Sequence, residues 1–275
     1  MDQRHEAVRE EAGKLGPWWF EFRCGELVFG GNCPRDRRKT ELLFEWAERL
    51  GIPLHEILEL GSHEGSHTLQ LAEPPFVKRV VGLEGRGDNF ARANFVKRIF
   101  GCRKCEFHQT DLEVWQPAPG ERYDAVFCAG LLYHLVRPWE LIDKVASCQP
   151  RLLFLDTHYA PVETALAGRW AGQWMGEGSD PLSGLSPQAF WLSFKDLSLY
   201  LMEKGFLIRF VQDMEHHGNG PRVLMVAERS DAVGAAWSAV QQVGQPDNRK
   251  KRGVGELLRT LEKKIRERRK RIFGG

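Results

Sequence analysis

Short apolar runs alternate with amphipathic stretches through the middle of the chain, a pattern that is typical of a parallel β-sheet with crossover helices. The apolar runs predict seven strands, at residues 56–60, 79–83, 105–109, 123–128, 152–156, 207–212 and 223–228. The stretches between them predict helices at residues 66–72, 89–100, 138–148 and 194–204. Because only a short connection separates the last two strands, the final strand should run antiparallel to its neighbour. The pattern therefore predicts an α/β fold with a doubly wound, seven-stranded sheet.

Two further segments predict additions to this core. Helical spacing of apolar residues predicts a helix over residues 36–50, and weak alternation over residues 19–30 predicts a hairpin. Residues 1–51 are therefore expected to form a cap on a core of residues 52–229. Within the core, residues 160–192 are too long for a simple connection, and a long structured insertion at a ligand-binding edge is often a lid.

The end of the chain has a different composition. Residues 230–248 are rich in Ala, Gly, Ser and Gln and predict a linker. Residues 249–275 carry twelve Lys and Arg against three Glu, a net charge of +9 in a chain whose total is +2. Their apolar residues have helical spacing, at Val254, Leu257, Leu258, Leu261 and Ile265. A basic amphipathic helix can anchor a protein to an anionic membrane or bind RNA phosphates, or it can be a solvated extension that packs on the body or on another subunit.

The overall composition is that of a globular protein with one large domain or two small ones, with 275 residues, 42% of them hydrophobic and 28% charged. The sequence has no long uncharged apolar run that would predict a membrane-spanning helix and no apolar segment near its start that would predict a secretory signal. A cytoplasmic protein is therefore expected, and the basic tail adds the alternative of peripheral contact with a membrane surface. The six cysteines are expected to be free thiols. The pair Cys102 and Cys105 has no second close pair beside it, so no metal site is predicted. No oligomeric state follows from the sequence.

One predicted strand leads through a glycine-containing turn into a helix, with the sequence Glu59-Leu60-Gly61-Ser62-His63-Glu64-Gly65-Ser66. In a doubly wound sheet, a turn at this place holds a nucleotide-like cofactor. A dinucleotide fingerprint would need glycine at positions 63 and 66, and a phosphate-binding loop would need a lysine after its last glycine. Both of these cofactor loops are therefore disfavoured.

The acid and the two glycines of this turn form the pattern (Asp/Glu)-x-Gly-x-x-x-Gly, which resembles the first motif of the class I S-adenosylmethionine-dependent methyltransferases. Glu84 and Asp111 end the next two predicted strands, where that family has one acid for the ribose hydroxyls and another for the adenine amino group. The resemblance covers roughly residues 52–229. It implies the Rossmann-like methyltransferase fold and S-adenosylmethionine as the cofactor. It also implies a cofactor site formed by Glu59, Gly61, Ser62, Gly65, Glu84, Asp111 and Leu112.

A second segment narrows the resemblance. The run Leu131-Leu132-Tyr133-His134-Leu135 follows the fourth predicted strand and is similar to a segment of the branch that includes the tRNA wobble-uridine carboxymethyltransferases. In those enzymes the tyrosine that matches Tyr133 reaches the carboxylate of a modified cofactor. The amino-terminal region does not match theirs, so plain methyl transfer is the expectation.

The chemistry that the resemblance implies needs few catalytic groups. A sulfonium is already an activated methyl donor, so the protein must mainly align the reactants and exclude water. A neutral oxygen or nitrogen nucleophile can also need a base. His158, after the fifth predicted strand, is the first candidate for that base, and His134 and Tyr133 are the others. Contacts to the substrate are expected from Tyr159, Trp170, Trp174, His216 and His217, although the tryptophans could instead fill a small core beneath the insertion.

Together these features predict methyl transfer to an oxygen, or less readily a nitrogen, of a small-molecule or glycan-like acceptor. A tRNA-modifying methyl- or carboxymethyltransferase is the first alternative. The second alternative is a non-catalytic module with a cofactor fold that recruits partners through its basic tail. Partners other than the small acceptor would be an anionic membrane surface or, less readily, nucleic acid.

Overall fold

A seven-stranded sheet with helices on both faces forms the centre of the computed structural model, which describes residues 3–178 and 182–235. In chain order the strands are β1 (Glu21–Cys24), β2 (Leu27–Gly30), β3 (Glu56–Leu60), β4 (Arg79–Glu84), β5 (Cys105–Gln109), β6 (Ala125–Ala129), β7 (Leu152–His158), β8 (Ala165–Ala167), β9 (Trp170–Gly176), β10 (Gln188–Leu192), β11 (Phe206–Met214) and β12 (Arg222–Arg229). The α-helices are α1 (Gln3–Leu15), α2 (Arg38–Leu50), α3 (Ser66–Ala72), α4 (Gly87–Phe100), α5 (Pro138–Ser147) and α6 (Phe194–Glu203), and a 3-10 turn spans Leu132–His134.

The central sheet has the strand order β11-β12-β7-β6-β3-β4-β5. Strands β7, β6, β3, β4 and β5 pair in parallel, and β12 is antiparallel to both β7 and β11. The predicted fold class and the antiparallel last strand are therefore confirmed. The carboxyl ends of the parallel strands and the start of β12 all lie at one edge of the sheet, which is where such sheets bind their ligands.

The core lies on both faces of this sheet. Successive residues of β3 alternate between the two faces, so that Ile57 packs in one apolar cluster while Leu58 and Leu60 pack in the other. Every residue of β7 is buried. Strands covered on both faces are continuously apolar rather than alternating, which is why the sequence pattern located them well.

Strand β7 is longer than predicted, and this changes the position of one candidate residue. The prediction ended this strand at Asp156 and placed His158 in the loop that follows it. In the structure, His158 is the last residue of β7 and pairs with Arg222 of β12. Hydrogen bonding to the antiparallel neighbour extends the strand, and His158 is therefore buried within the sheet, with 4% of its surface exposed.

The region upstream of the core contains the predicted hairpin, formed by β1 and β2, and the predicted helix α2. It also contains α1, which was not predicted. Only Ala12 of α1 is buried, so the helix has almost no apolar face that could reveal it in the sequence. Residues 1–51 as a cap remain a prediction.

The insertion contains an antiparallel sheet of its own, with the order β10-β9-β8, which the sequence pattern did not resolve. The amide of Phe190 in β10 donates a hydrogen bond to the carbonyl of Leu135, at 2.8 Å, and so joins this small sheet to the segment after β6. Phe190 itself is fully buried in the main core. The insertion is thus packed on the body at the edge where the parallel strands end.

The expectation that all cysteines are free thiols is wrong for one pair. Cys102 and Cys105 form a disulfide, because the turn between α4 and β5 brings their Cα atoms to 5.6 Å, within disulfide range. Cys24, Cys33, Cys128 and Cys148 are free thiols in the structure.

The predicted linker lies mostly outside the described residues, and the predicted basic tail helix lies entirely outside them. The proposals about membrane or RNA binding by that tail therefore remain predictions. Among residues 3–178 and 182–235, none of the helices has the length and apolar character needed to cross a membrane.

Candidate active site

A cavity of about 360 Å³ lies at the edge of the sheet where β3, β4 and β6 end. Small-molecule sites commonly have volumes of about 300–1,000 Å³. Its floor is formed by the turn after β3 and by the ends of the neighbouring strands, and residues 182–186 of the insertion form part of its wall. Trp19 and Phe20 contribute another part of the wall from the amino-terminal region.

The structure brings some of the predicted site residues to this cavity and leaves others away from it. The predicted residues that line it are Gly61, Ser62, Glu84, Asp111, Leu112, Tyr133 and His134. Those that do not line it are Glu59, Gly65, His158, Tyr159, Trp170, Trp174, His216 and His217. The roles assigned to all of them remain predictions, but only the first group is placed to contact a ligand there.

Two residues of the predicted cofactor motif act behind the turn rather than in the cavity. The carboxylate of Glu59 is buried, accepts a hydrogen bond from the hydroxyl of Thr68, and lies 3.6 Å from Nδ1 of His67. It therefore ties β3 to helix α3. Gly65 has a left-handed backbone (φ +81°), and a Cβ atom there would lie 2.8 Å from Cζ of Phe107. Both residues hold the turn against the sheet.

We expect Gly65→Ala to destabilise the protein by about 2–4 kcal/mol, because the new methyl group would overlap the Phe107 ring and the residue would keep a left-handed conformation. Urea unfolding measures this change. Gly13→Ala in α1 is the matched control, because a Cβ atom at Gly13 has no neighbour within 4 Å. That control should leave stability unchanged or raise it by up to about 1 kcal/mol. Equal stability of the two variants would contradict the packing role of Gly65.

Glu84 joins the end of β4 to the glycine turn. Its Oε2 accepts a hydrogen bond from the amide of His63, and its Oε1 accepts one from the amide of Arg86, both at 2.8 Å. Burial raises the pKa of Glu84, and the hydrogen bonds from the two amides oppose that effect. A carboxylate has about four lone pairs. Glu84 therefore keeps acceptor capacity for hydroxyl groups of a ligand while it fixes the turn.

Asp111 stabilises a local turn and also lines the cavity. Its Oδ1 accepts a hydrogen bond from the amide of Glu113, at 2.9 Å, and its carbonyl accepts from Trp115, so it stabilises a local turn. Asp111 also lines the cavity, next to Leu112. Its position after β5, beside Glu84 at the end of β4, places two carboxylates on adjacent strand ends.

Two serine hydroxyls in the glycine turn lack a hydrogen-bond partner. The Oγ atoms of Ser62 and Ser66 are buried and unpaired, and both residues line the cavity. Buried polar groups are nearly always hydrogen-bonded, so these hydroxyls fit the polar groups of a bound ligand. Gly61 keeps the turn compact, since a Cβ atom there would lie 3.1 Å from Leu131. The two acids, the two hydroxyls and the glycine turn fit S-adenosylmethionine.

His134 is paired with an acid that the sequence analysis missed. Its Nδ1 lies 2.9 Å from both carboxylate oxygens of Glu177, and Oε2 of Glu177 also accepts a hydrogen bond from the amide of Gly184, at 2.6 Å. Because an ionised carboxylate only accepts hydrogen bonds, we assign the imidazole proton to Nδ1. In the neutral ring, Nε2 of His134 then carries the lone pair that a base needs.

His158 has a different environment. Its Nδ1 faces the carbonyls of Gly220 and Pro221, at 3.2 and 3.0 Å, so Nδ1 carries the proton. Its Nε2 lies 3.3 Å from Nη1 of Arg222, from which it accepts a hydrogen bond. Burial and the Arg222 charge lower the pKa of His158. Both ring nitrogens have partners, and the ring stacks on Trp191 with 4.8 Å between centroids, so this geometry does not favour His158 as the base.

The predicted substrate-contacting residues pack within the protein or lie at its periphery. Trp170 is buried and stacks on Trp139, with 5.8 Å between ring centroids, and Trp174 packs against Phe190. Trp170 thus lies in the core beneath the insertion, whereas Trp174 is partly exposed, and substrate contact by either remains a prediction.

The other three predicted contact residues belong to the β7, β11 and β12 region. The hydroxyl of Tyr159 donates a hydrogen bond to Oδ1 of Asp213, at 2.9 Å. His216 and His217 lie in the turn between β11 and β12, and His217 contacts the ring of His158.

The amino-terminal wall of the cavity is held by a buried acid in the glycine turn. Both carboxylate oxygens of Glu64 accept hydrogen bonds, one from the amide of Trp19 at 2.7 Å and one from the amide of Phe20 at 2.9 Å. The ring of Phe20 also contacts His63. These contacts join residues more than 40 positions apart in the chain, and no local pattern in the sequence signals them.

Residues 57–149 match the family model of the methyltransferase domain. The amino-terminal domain of EvdMO1, crystallised with S-adenosylhomocysteine (SAH) bound, is 28% identical to the chain, with a TM-score of 0.70 over 84% of this chain and 98% of that one. The chain is an S-adenosylmethionine-dependent methyltransferase. A second structure of the same EvdMO1 domain was obtained in the presence of SAH and D-fucose. It is 29% identical over 84% of this chain and 97% of that one, again with a TM-score of 0.70.

Two further comparisons place this methyltransferase among known structures. It is 26% identical to the chain in a crystal structure of EvdMO1, with a TM-score of 0.61 over 82% of this chain, and it spans 47% of that chain. Magnesium protoporphyrin IX methyltransferase from Synechocystis PCC 6803, with bound S-adenosylmethionine, is 18% identical over 70% of this chain and 79% of that one, and its TM-score of 0.50 shows a shared fold alone. No curated protein sequence matches the chain.

These comparisons confirm the predicted fold, the enzyme class and S-adenosylmethionine as the cofactor. The narrower resemblance of the Tyr133 segment to tRNA wobble-uridine carboxymethyltransferases remains a prediction.

Proposed function

We propose that this methyltransferase transfers a methyl group to a hydroxyl oxygen of a sugar-like small molecule. The observation that carries the proposal is the pair formed by His134 and Glu177 at the wall of the cavity. The similarity to the EvdMO1 domain, which was crystallised in the presence of D-fucose, supports a sugar as the class of acceptor.

The His134–Glu177 pair favours oxygen over nitrogen as the methylated atom. A neutral amine is already a good nucleophile, whereas a hydroxyl becomes strongly acidic as its oxygen forms the new bond and must lose its proton. A positioned base typically accelerates such a step by about 10²–10⁴-fold. An imidazole whose Nδ1 is held by a carboxylate has its basic Nε2 fixed in direction, which is the arrangement that proton removal from a hydroxyl needs.

When bound, the cofactor supplies an activated methyl group, and the residues of the chain position the reactants around it. Glu84 and Asp111 accept hydrogen bonds from the adenosine portion, and the Ser62 and Ser66 hydroxyls bind polar groups near the glycine turn. Nε2 of His134 takes the proton of the acceptor hydroxyl as the new carbon–oxygen bond forms. Glu177 holds the ring and stabilises its positive charge until the proton leaves to solvent.

The wall of the cavity excludes water during this step. Nη2 of Arg86 donates hydrogen bonds to the carbonyls of Ser183 and Gly184, at 2.7 and 3.0 Å, and so holds the insertion over the cavity. Trp19 and Phe20 close the opposite side through their hydrogen bonds to Glu64. In this proposal the insertion is the lid that its length predicted.

The test is an acceptor assay with the full chain. Every reaction contains S-adenosylmethionine, and the release of SAH is measured. Parallel reactions contain one of four acceptors: D-fucose, the methyl glycoside of D-fucose, an aminosugar of the same ring form, or bulk tRNA. We expect release above background with the sugars, and NMR of the product should show an O-methyl group. Release that depends on tRNA alone, or N-methylation of the aminosugar without any O-methyl product, would contradict the proposal.

A further inference from the structure

Two of the three Lys and Arg residues that line the cavity share one buried acid. Lys39 comes from the first turn of α2 and Arg222 from the first residue of β12. Nζ of Lys39 lies 2.7 Å from Oδ2 of Asp156, while Nε and Nη2 of Arg222 lie 2.6 and 2.8 Å from its two oxygens. The Asp156 side chain is 1% exposed, against 29% for Lys39 and 14% for Arg222. The acid therefore lies behind the cations, and the cations face the cavity.

The charges in this cluster do not balance. Lys39, Arg222 and Asp156 together carry a net charge of +1. Burial favours the neutral form of Asp156, but the hydrogen bonds and charges of Arg222 and Lys39 outweigh it and lower the pKa of the acid, so Asp156 is ionised at neutral pH. The other titratable groups bonded to Arg222 are His158, whose pKa is lowered by burial, and Tyr133, whose pKa is raised by burial, and both are neutral. A partly buried excess charge is costly unless an opposite charge accompanies it.

The acids of the proposed adenosine site are too distant to supply that charge. Asp156 lies on β7, and Glu84 ends β4, which is three strands away in the order β7-β6-β3-β4. With a strand spacing of about 4.8 Å, this separation is about 14 Å. The other acids in or near the cavity already have partners: Glu177 is hydrogen-bonded to His134 and the amide of Gly184, Glu113 to the amide of Val136, and Glu59 to the hydroxyl of Thr68. The Glu84 end of the cavity thus holds acids together with Arg86, whereas the other end holds Lys39 and Arg222.

The cationic end also has space and donors for a ligand. A Cβ atom at Gly130 would lie 3.6 Å from Nη2 of Arg222 and 3.9 Å from the hydroxyl of Tyr133, so the glycine leaves this corner open. The ammonium of Lys39 has three N–H donors, of which Asp156 takes one. Cations that are held in place and partly desolvated form strong hydrogen bonds to carboxylate and phosphate oxygens.

We propose that Lys39 and Arg222 form an anion subsite, which binds a carboxylate or phosphate oxygen at the end of the cavity away from Glu84. Two ligands could supply this oxygen. One is the amino-acid carboxylate of the cofactor, and the other is an acidic group on the sugar acceptor, a case that rests on the proposed function. Either ligand neutralises the excess charge.

The experiment uses inorganic phosphate as the probe and the full chain, with and without 5′-methylthioadenosine, which lacks the amino-acid portion of the cofactor. Binding of phosphate is followed by the width of its phosphorus NMR signal. We expect the wild-type protein and Lys39→Arg to bind phosphate. The Lys39→Gln variant should have an affinity for phosphate that is lower by about tenfold or more. Arg38→Gln is the matched control, because Arg38 is an exposed cation in the same helical turn and does not line the cavity.

Saturation with SAH separates the two sources. If the cofactor carboxylate occupies the subsite, SAH displaces phosphate, and Lys39→Gln weakens binding of SAH but not of 5′-methylthioadenosine. If an acidic group of the acceptor occupies the subsite, phosphate binds alongside SAH. The SAH-saturated wild-type protein then binds D-fucose 1-phosphate about tenfold more tightly than D-fucose, and replacement of Lys39 removes this preference. The proposal is overturned if wild-type protein does not bind phosphate in either state, or if Lys39→Gln and Arg38→Gln behave alike. Phosphate binding without any sugar methylation would remove the proposed acceptor but leave the subsite.

Discussion

Replacing His134 by alanine should lower kcat by about 10²–10⁴-fold, the usual contribution of a positioned base. The imidazole has its Nδ1 fixed by Glu177 and lines the cavity, so its removal leaves the acceptor hydroxyl without a group to take its proton. Affinity for SAH should change little, because the proposed cofactor contacts come from the glycine turn and the two acids. The measurements are steady-state kinetics with the sugar acceptor and calorimetric titration with SAH.

A graded series of variants tests whether the pair acts as a unit. Glu177→Gln keeps an acceptor for Nδ1 but removes the charge that stabilises protonated His134, and we expect it to lower kcat by about tenfold. His108→Ala is the control, because His108 is exposed, lies outside the cavity and should leave kcat unchanged. If His134→Ala retains kcat within a few-fold of wild type, the base assigned here is wrong and another group removes the proton.

Replacing Glu84 by glutamine should weaken SAH binding by about 10²–10³-fold, since hydrogen bonds to a charged acceptor contribute about 1.5–3 kcal/mol each. The carboxylate is proposed to accept from the ribose hydroxyls, and it also holds the amides of His63 and Arg86. Glutamine fills the same volume but has one oxygen instead of two, so one of these amides loses its acceptor. Calorimetric titration with SAH measures the loss, and urea unfolding shows whether the variant remains folded.

The control for Glu84 is Glu106→Gln. Glu106 lies on the adjacent strand β5, pairs with Arg79 and has 43% of its side chain exposed, outside the cavity. Its replacement removes the same charge from the neighbouring strand and should leave SAH affinity unchanged. Equal effects of the two variants would indicate a general electrostatic effect rather than a specific contact by Glu84.

The raised pKa of Glu84 adds a pH dependence to this prediction. Burial favours the neutral carboxyl, so acidification should protonate Glu84 and weaken SAH binding at a higher pH than for an ordinary glutamate. Glu84→Gln should remove this dependence. Stability changes in the opposite direction: because the folded pKa lies above the unfolded value, this group makes the protein more stable as pH falls from the folded to the unfolded pKa.

The contrast between His134 and His158 shows where reasoning from sequence reaches its limit. Both histidines follow apolar runs, and both were expected at the ligand edge. Pairing with β12 extends β7 through His158 and buries it against Trp191 and Arg222. His134 lies beyond its strand, in a turn that faces the cavity. No local pattern distinguishes the two cases, because the strand length depends on hydrogen bonds to a segment more than 60 residues away.

The linear pattern of residues was sufficient to locate the seven strands of the central sheet, the glycine turn after β3 and the two acids after β4 and β5. These features follow from periodicity, from left-handed backbone positions and from the meeting of parallel strand ends at one edge, all of which are local or fixed by fold class. The pairing of His134 with Glu177, the wall formed by Trp19 and Phe20, and the sharing of Asp156 by Lys39 and Arg222 depend on folding alone. Each joins residues that are more than 40 positions apart, and such contacts leave no periodic signal in one sequence.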